Sequence, residues 1–514
     1  MNNAAQHAVR SVESIKKDFD IALPETVGGF ANGKPLALNG GYEHTAICPA
    51  TETPLYNLDE NDAADVDAAV KAARRAFDEG SWARMPHNQR RVVMQRLHDV
   101  IEAHKDELAV IQSLEVGLPL NSVHAMHMPR TLENFQFFSE VSGTLAGESF
   151  TQTGNYLSVV THEPAGVAAL LTPWNAPLVL VSMKLAAALS LGNTVVLKPS
   201  EYCPYSLRRF VEVLHEADLP PGVVNLVNGR GPVTGDALVK HPGVDVVGFV
   251  GGTETGKVIM TSAAQTLKKV GMELGGKSAN IVTNSANLDN AIDGSLLAIL
   301  AGNGSQCLAG SRILLQRDIK DEFVEKFTQR MGNIRVGDPF DPATEVGPMA
   351  FESHFRRVLS YAGVAKEDGA EVLVGGQEAA GFDSGYFIQP TAVMAPSNSA
   401  RVCQEEIFGP FASLLTFDTL DEAVAMANDS DFGLVSYLWS DDLPTVMDAS
   451  RRIQAGTVWV NTPLTRDLRA PFGGYKQSGI GRDGLRASVE LLTEEKTMMI
   501  PAGPLTLPKM GLGE

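Results

Sequence analysis

Apolar positions along this chain change their period near residue 167. Before that point, Val66, Ala69, Val70, Ala73 and Phe77 recur on one face of a 3.6-residue period after an Asn- and Asp-rich start that can cap a helix. Val93, Leu97, Val100, Ile101 and Leu108 predict a second helical stripe, which Gly117-Leu118-Pro119 breaks. Beyond it, short β-branched runs appear at Val167–Leu171, Thr194–Leu197, Val223–Val227, Val244–Val250 and Ala279–Val282. Helical stretches such as Leu178–Ser190 and Tyr205–Ala217 separate them. This alternation predicts a parallel sheet covered on both faces, and a second alternating region runs from Gly304 to Val460. Tyr156–Thr161 reads as an exposed strand outside the sheet, an arm rather than a core strand.

Length and charge narrow this picture. A chain of 514 residues exceeds what one hydrophobic core serves, so two or more domains are expected. With 44% apolar and 20% charged residues the composition is globular. A net charge of −19 makes nucleic acid and anionic membrane poor partners. No run approaches the ~20 apolar residues that span a bilayer. The polar start Met1–Lys16 lacks the apolar segment of a secretory signal, so a cytoplasmic location is expected. Cys48, Cys203, Cys307 and Cys403 form no Cys-x-x-Cys pair, so neither a disulfide scaffold nor a metal site is expected.

Several motifs carry candidate chemistry, and each has a bland alternative. Gly248 to Lys257 reads as a buried strand, a glycine-rich turn and a helix start, which offers free N–H groups to phosphate or is an ordinary tight turn. Lys198, in Val196-Leu197-Lys198-Pro199-Ser200-Glu201, ends a strand where ligands bind in open α/β sheets, or lies in a solvated loop. Glu273, in Met272-Glu273-Leu274-Gly275-Gly276-Lys277, is a base if buried and a surface carboxylate otherwise. Cys307 follows Gly302-Asn303-Gly304-Ser305-Gln306, where converging N–H groups would give a thiolate electropositive surroundings; most lone cysteines are structural. Gln404 to Pro410 and Pro471 to Gly479 read as surface turns.

The order and spacing of these motifs resemble the aldehyde dehydrogenase superfamily over residues 29–500. The resemblance implies an α/β fold: a Rossmann-like parallel-sheet cofactor domain (22–152 and 164–276), an α/β catalytic domain (277–483) and a small β oligomerisation arm (153–163 and 484–503). It makes Cys307 the nucleophile and Glu273, 34 residues earlier, the general base. Asn175, with the Cys307 backbone N–H, would hold the oxyanion, and Lys184 would sit near the catalytic water path. Lys198 and Glu201 would contact the adenosine ribose, Gly251 and Gly252 the pyrophosphate, Glu406 the nicotinamide ribose, and Phe408 the nicotinamide. Thr172, Trp174, Ser200, Glu254, Gly256 and Leu274 complete the implied cofactor set. Glu201 opposes a 2′-phosphate, favouring NAD, with NADP possible.

Two departures from the family pattern stand out. Gly252 and Asp483 replace a common Ser and a common Glu. The implied substrate pocket is Ala176, Leu180, Met183, Ala301, Gln306, Leu308 and Arg466. Small Ala176 and Ala301 leave room for a bulky or aromatic aldehyde. Arg466 either recognises a substrate carboxylate, as in a semialdehyde, or points to solvent or pairs with Asp467. Acyl transfer to coenzyme A, and a silent member used as a binding or structural protein, are rival readings. A thiolate at Cys307 would be oxidation-sensitive. A homodimer or homotetramer is expected, built on the arm strand and on Thr497-Met498-Met499-Ile500.

Overall fold

The computed structural model describes residues 8–40, 44–152 and 154–511. Thr153, at the start of the expected arm, lies outside the described residues. The first predicted helix forms over Ala63–Asp78, where Asp62 accepts from the Ala64 and Asp65 N–H groups and Asp65 closes a capping box. Its Val66, Ala69, Val70 and Ala73 are buried. The second stripe is two helices, His87–Ala103 and Lys105–Val116, so Leu108 belongs to the later one. Gly117, at φ 72°, ends it in the left-handed conformation.

The first sheet has eight strands. Its parallel centre runs Lys269–Glu273, Val246–Val250, Val167–Leu171, Thr194–Lys198, Val224–Leu226 in spatial order. The four latter strands are buried at every position, which is why apolar residues dominate them, with Thr194, Lys198 and Asn225 as buried polar exceptions. Helix Pro177–Ser190 packs on this sheet and is buried along most of its length. The second sheet has seven strands with Ala279–Val282 near its centre, between Arg312–Gln316 and Val435–Trp439. Ala279–Val282 therefore does not continue the strands before it.

Two segments cross the expected boundaries. Gly479–Ile480, inside the range expected to be catalytic, pairs antiparallel with Lys269–Glu273 in the first sheet. Helix Leu485–Leu492, expected in the arm, buries Val489 and Leu492 in the core beneath the first sheet.

The arm differs from its prediction. Tyr156–Pro164 is the central strand of a three-stranded sheet, flanked by Thr493–Pro501 and Glu148–Phe150. Both its edges are paired within the chain. The unpaired edge is passed to Thr493–Pro501, whose Met498, Met499 and Ile500 are exposed. Among the described residues, no helix is long and apolar enough to cross a membrane.

Candidate active site

Two cavities meet along Pro173, Trp174, Val250, Gly251 and Gly252. The larger, about 690 Å³, opens at the carboxyl ends of the first sheet's strands. Thr172, Trp174, Lys198, Ser200, Glu201, Gly251, Gly252 and Glu254 line it, as the cofactor set requires. Helix Thr253–Ala263 begins at Gly252, so its free N–H groups face this space. Lys198 is 5% exposed, not solvated, and stands 3.8 Å from Glu201. Burial pulls the Lys198 ammonium down, and Glu201 opposes the shift. Thr172 Oγ1 is buried without a partner at the cavity wall, where a hydroxyl-bearing ligand would satisfy it. This donor and acceptor set fits a dinucleotide. Gly256 turns inward instead: a Cβ there would meet Leu274 Cδ2 at 2.6 Å, so it is a packing residue. A side chain at Gly252 would meet nothing within 4 Å, so the missing hydroxyl is a lost contact and not a steric need. Phe249, Val258 and Ile259 add apolar walls that the motifs did not single out.

The second cavity, about 430 Å³, gathers Asn175, Leu180, Glu273, Leu274, Cys307, Glu406 and Phe408. Glu273 ends its strand and is 6% exposed. Burial, then nearby Asp483, holds its carboxyl well above the usual range, while Lys184, Arg466 and Arg482 pull it back. Its Oε2 is buried without a partner. The Pro471–Gly479 segment is no surface turn. A Cβ at Gly473 (φ 153°) would lie 2.6 Å from Glu273 Oε1, and Gly479 pairs with Glu273 across the sheet. Gln404–Pro410 likewise turns inward: Glu406 Oε1 accepts from the Gly276 N–H at 2.9 Å, and its carboxyl is raised by burial.

Cys307 is half-buried, whereas Cys48, Cys203 and Cys403 are buried. Its surroundings are not electropositive overall. Burial, then Glu406 and Glu273, pushes its thiol up to about 12. Of the two routes to a thiolate, a lowered thiol or a base that takes its proton, the shift favours the second. Asn175 Nδ2 donates to the Ser305 carbonyl at 2.8 Å, which ties the amide to the loop carrying Cys307.

Lys184 stands behind the cavity, not on its wall. Its Nζ bonds both carboxylate oxygens of Asp483 at 3.1 Å, with both side chains buried. The pair lies next to Glu273 and acts on it by charge.

The expected substrate residues scatter. Leu180 lines the catalytic cavity, but Ala176, Met183, Ala301, Gln306, Leu308 and Arg466 line neither large cavity. Ala176 caps helix Pro177–Ser190, Met183 is buried within that helix, and Ala301 opens the kinked turn Ala301–Gly304. Gln306 donates to the Ala298 carbonyl at 3.3 Å, and Leu308 packs beside Cys307 in a small core. Arg466 neither points to solvent nor pairs with Asp467, which Arg469 holds. Its guanidinium lies 4.2 Å over the Phe472 ring, with Nε and Nη2 buried and unpartnered. It is near enough to Glu273, Cys307 and Asp483 to feel their charge. Phe351, Ser353, His354 and Arg357, from the start of helix Glu352–Glu367, complete the cavity. Only a fold that brings this helix to Trp174 reveals them.

Comparisons with known proteins give the family. The model of the aldehyde dehydrogenase family matches residues 39–498. The chain is 41% identical over 463 residues to the 5-carboxymethyl-2-hydroxymuconate semialdehyde dehydrogenase of Escherichia coli, covering 89% of this chain and 97% of that one. It is 40% identical over 456 residues to the mitochondrial aldehyde dehydrogenase of Homo sapiens, covering 88% of each. The NAD+ complex of the aldehyde dehydrogenase from Bacillus cereus superposes with a TM-score of 0.91 at 37% identity, over 97% of this chain and 100% of that chain. The chain belongs to the aldehyde dehydrogenase family.

Proposed function

We propose that this protein oxidises an aldehyde to a carboxylate with NAD, through a thioester on Cys307. The observation that carries the reading is that Cys307, Glu273 and Asn175 share one cavity that adjoins the dinucleotide-sized cleft. With its thiol pushed up, Cys307 calls for a base. Glu273, with a free carboxylate oxygen, takes its proton. The sulfur attacks the carbonyl carbon, and the oxyanion is held by the Cys307 N–H and by the Asn175 amide, which leaves Ser305 to reach it. A nicotinamide cofactor bound in the cleft supplies the hydride acceptor. Loss of hydride leaves the thioester. Glu273 releases the thiol proton to solvent and then deprotonates water, which adds to the acyl carbon; the C–S bond breaks, the Cys307 sulfur takes that proton back from Glu273, and the carboxylate departs. A hydrolytic base argues against transfer to coenzyme A. Lys198 and Glu201 would take the adenosine ribose, and the Glu201 carboxylate disfavours a 2′-phosphate, hence NAD. Lys184 is a positioning residue, through Asp483. The first sheet forms the cofactor domain and the second the catalytic domain, and the exposed Thr493–Pro501 edge joins copies of the chain.

Arg466, whose charge acts on Cys307 and Glu273 from behind the cavity wall, favours a substrate that carries an anionic group, a semialdehyde, over a neutral bulky aldehyde, with the guanidinium swinging off the Phe472 ring to meet it. The name of the Escherichia coli relative points the same way. Replacing Cys307 by Ala tests the core reading: NADH formation should vanish with the fold and NAD binding intact. Residual turnover above about a thousandth of wild type would remove Cys307 from the role.

A further inference from the structure

The loop that presents Cys307 is conformationally demanding. Gly302, Asn303 and Gly304 all have positive φ, at 60°, 58° and 73°. Asn303 is held in this state by its side chain, which donates to the Gly117 and Pro348 carbonyls and accepts from the Gly347 N–H. That anchor lies four residues before Cys307. A second anchor lies closer. Ser305 Oγ stands 3.3 Å from His354 Nε2 and 3.3 Å from the Phe408 carbonyl. The carbonyl of the same Ser305 receives the Asn175 amide. His354 is itself wedged in an aromatic box, with ring centroids 4.9 Å from Trp174, 5.5 Å from Phe351 and 6.0 Å from Phe408. Phe408 has a positive φ of 65°, a strained state for an aromatic residue that surrounding contacts must impose.

We propose that His354 is a positioning residue: through the Ser305 hydroxyl it fixes the loop that sets the Asn175 amide and Cys307, and it holds Phe408 against the cavity. The inference rests on the assignment of Cys307 and Asn175 above. Ser305 is 2% exposed and lines neither large cavity, so it is a strut and not a second nucleophile. His354 supplies a polar edge toward Ser305 and an apolar face toward Trp174. Leucine retains volume but not the edge; glutamine retains a hydrogen-bonding group.

The test uses the full chain with the variants His354→Leu, His354→Gln, Ser305→Ala and His354→Leu/Ser305→Ala. Melting temperature and NAD affinity by fluorescence titration are measured beside kcat and KM. His354→Leu and Ser305→Ala should each lower kcat about tenfold, the effect of one neutral hydrogen bond. The double variant should lose no more than either single one, because both remove the same strut. His354→Gln should recover most of kcat, and NAD affinity should stay within about twofold in Ser305→Ala, whose side chain lies off both cavities. Multiplicative losses in the double variant, or equal losses in the Leu and Gln variants, would overturn the proposal. An unchanged kcat in His354→Leu would do so too. If His354→Leu does not fold, Ser305→Ala against His354→Gln/Ser305→Ala decides: the strut requires equal kcat in the two. Cys307→Ala inactivity is read separately, so failure of the strut and failure of the nucleophile are distinguishable.

Discussion

Replacing Arg466 by Met removes the guanidinium but keeps an apolar chain over Phe472. Two of its donors, Nε and Nη2, are buried and unpartnered. They form the edge of the fork that meets a carboxylate with two parallel bonds. A hydrogen bond to a charged group contributes about 1.5–3 kcal/mol, so two contribute about 3–6 kcal/mol. At 1.4 kcal/mol per decade, that is a loss of about 10²–10⁴ in kcat/KM for an aldehyde bearing a carboxylate at the right distance. A neutral aldehyde of equal length makes no such contact and should lose only what both substrates lose when Arg466 no longer pulls Glu273 and Cys307 down. The assay is NADH absorbance with matched pairs, an ω-carboxy aldehyde and its methyl ester, on wild type and Arg466→Met. An equal change for acid and ester in the variant would refute the argument that Arg466 reads substrate charge.

Other outcomes follow from the same geometry. Glu273→Gln should give at most one NADH per site in a burst and then stall, because thioester hydrolysis lacks its base; steady turnover at the wild-type rate would remove Glu273 from that step. In wild type, kcat should rise on the alkaline side, since burial and Asp483 hold the Glu273 carboxyl well above the usual range and only its ionised form accepts a proton. Asp483→Asn should move that limb to lower pH, and Lys184→Met to higher pH, because Asp483 raises Glu273 and Lys184 lowers it. Lys184→Met also strands a buried carboxylate and should cost about 3–5 kcal/mol of stability by denaturant titration. Glu201→Gln should improve NADP use relative to NAD by about tenfold, read as the ratio of the two kcat/KM values. Glu115 accepts from the Tyr205 and Ser206 N–H groups, and burial raises its carboxyl to about 7. Its folded value lies above the unfolded ~4.3, so its contribution is fully present below about pH 4 and lost as pH rises through 7. Glu115→Gln should flatten the fall of stability between about pH 4 and 7; an unchanged slope would show that Glu115 does not titrate there.

The buried parallel strands and their helices were legible in the sequence because a strand covered on both faces must be apolar at every position, as Val167–Leu171 and Val246–Val250 are. The cofactor cleft was legible for a related reason. Lys198 and Gly251–Gly252 sit at strand ends, and strand ends in a parallel sheet point to one edge. Cys307, Glu273 and Asn175 were legible through their order and spacing. Local patterns do not record which strands are neighbours. The central place of Tyr156–Pro164, the entry of Gly479–Ile480 beside Glu273 and the arrival of His354 at Trp174 depend on pairings across 331, 206 and 180 residues. Nor does a sequence record the dielectric around a group. The thiol of Cys307 is pushed up because folding removes its water and sets two carboxylates near it. Arg466, expected to meet a substrate carboxylate, solvent or Asp467, has its Nε and Nη2 buried without a partner among the described residues because the chain turns it over Phe472. Which reactive groups the chain carries, and in what order, is read from the sequence because residue type and order are covalent facts. Only the tertiary structure decided their protonation and the company they keep, because burial and charge are properties of the packed chain.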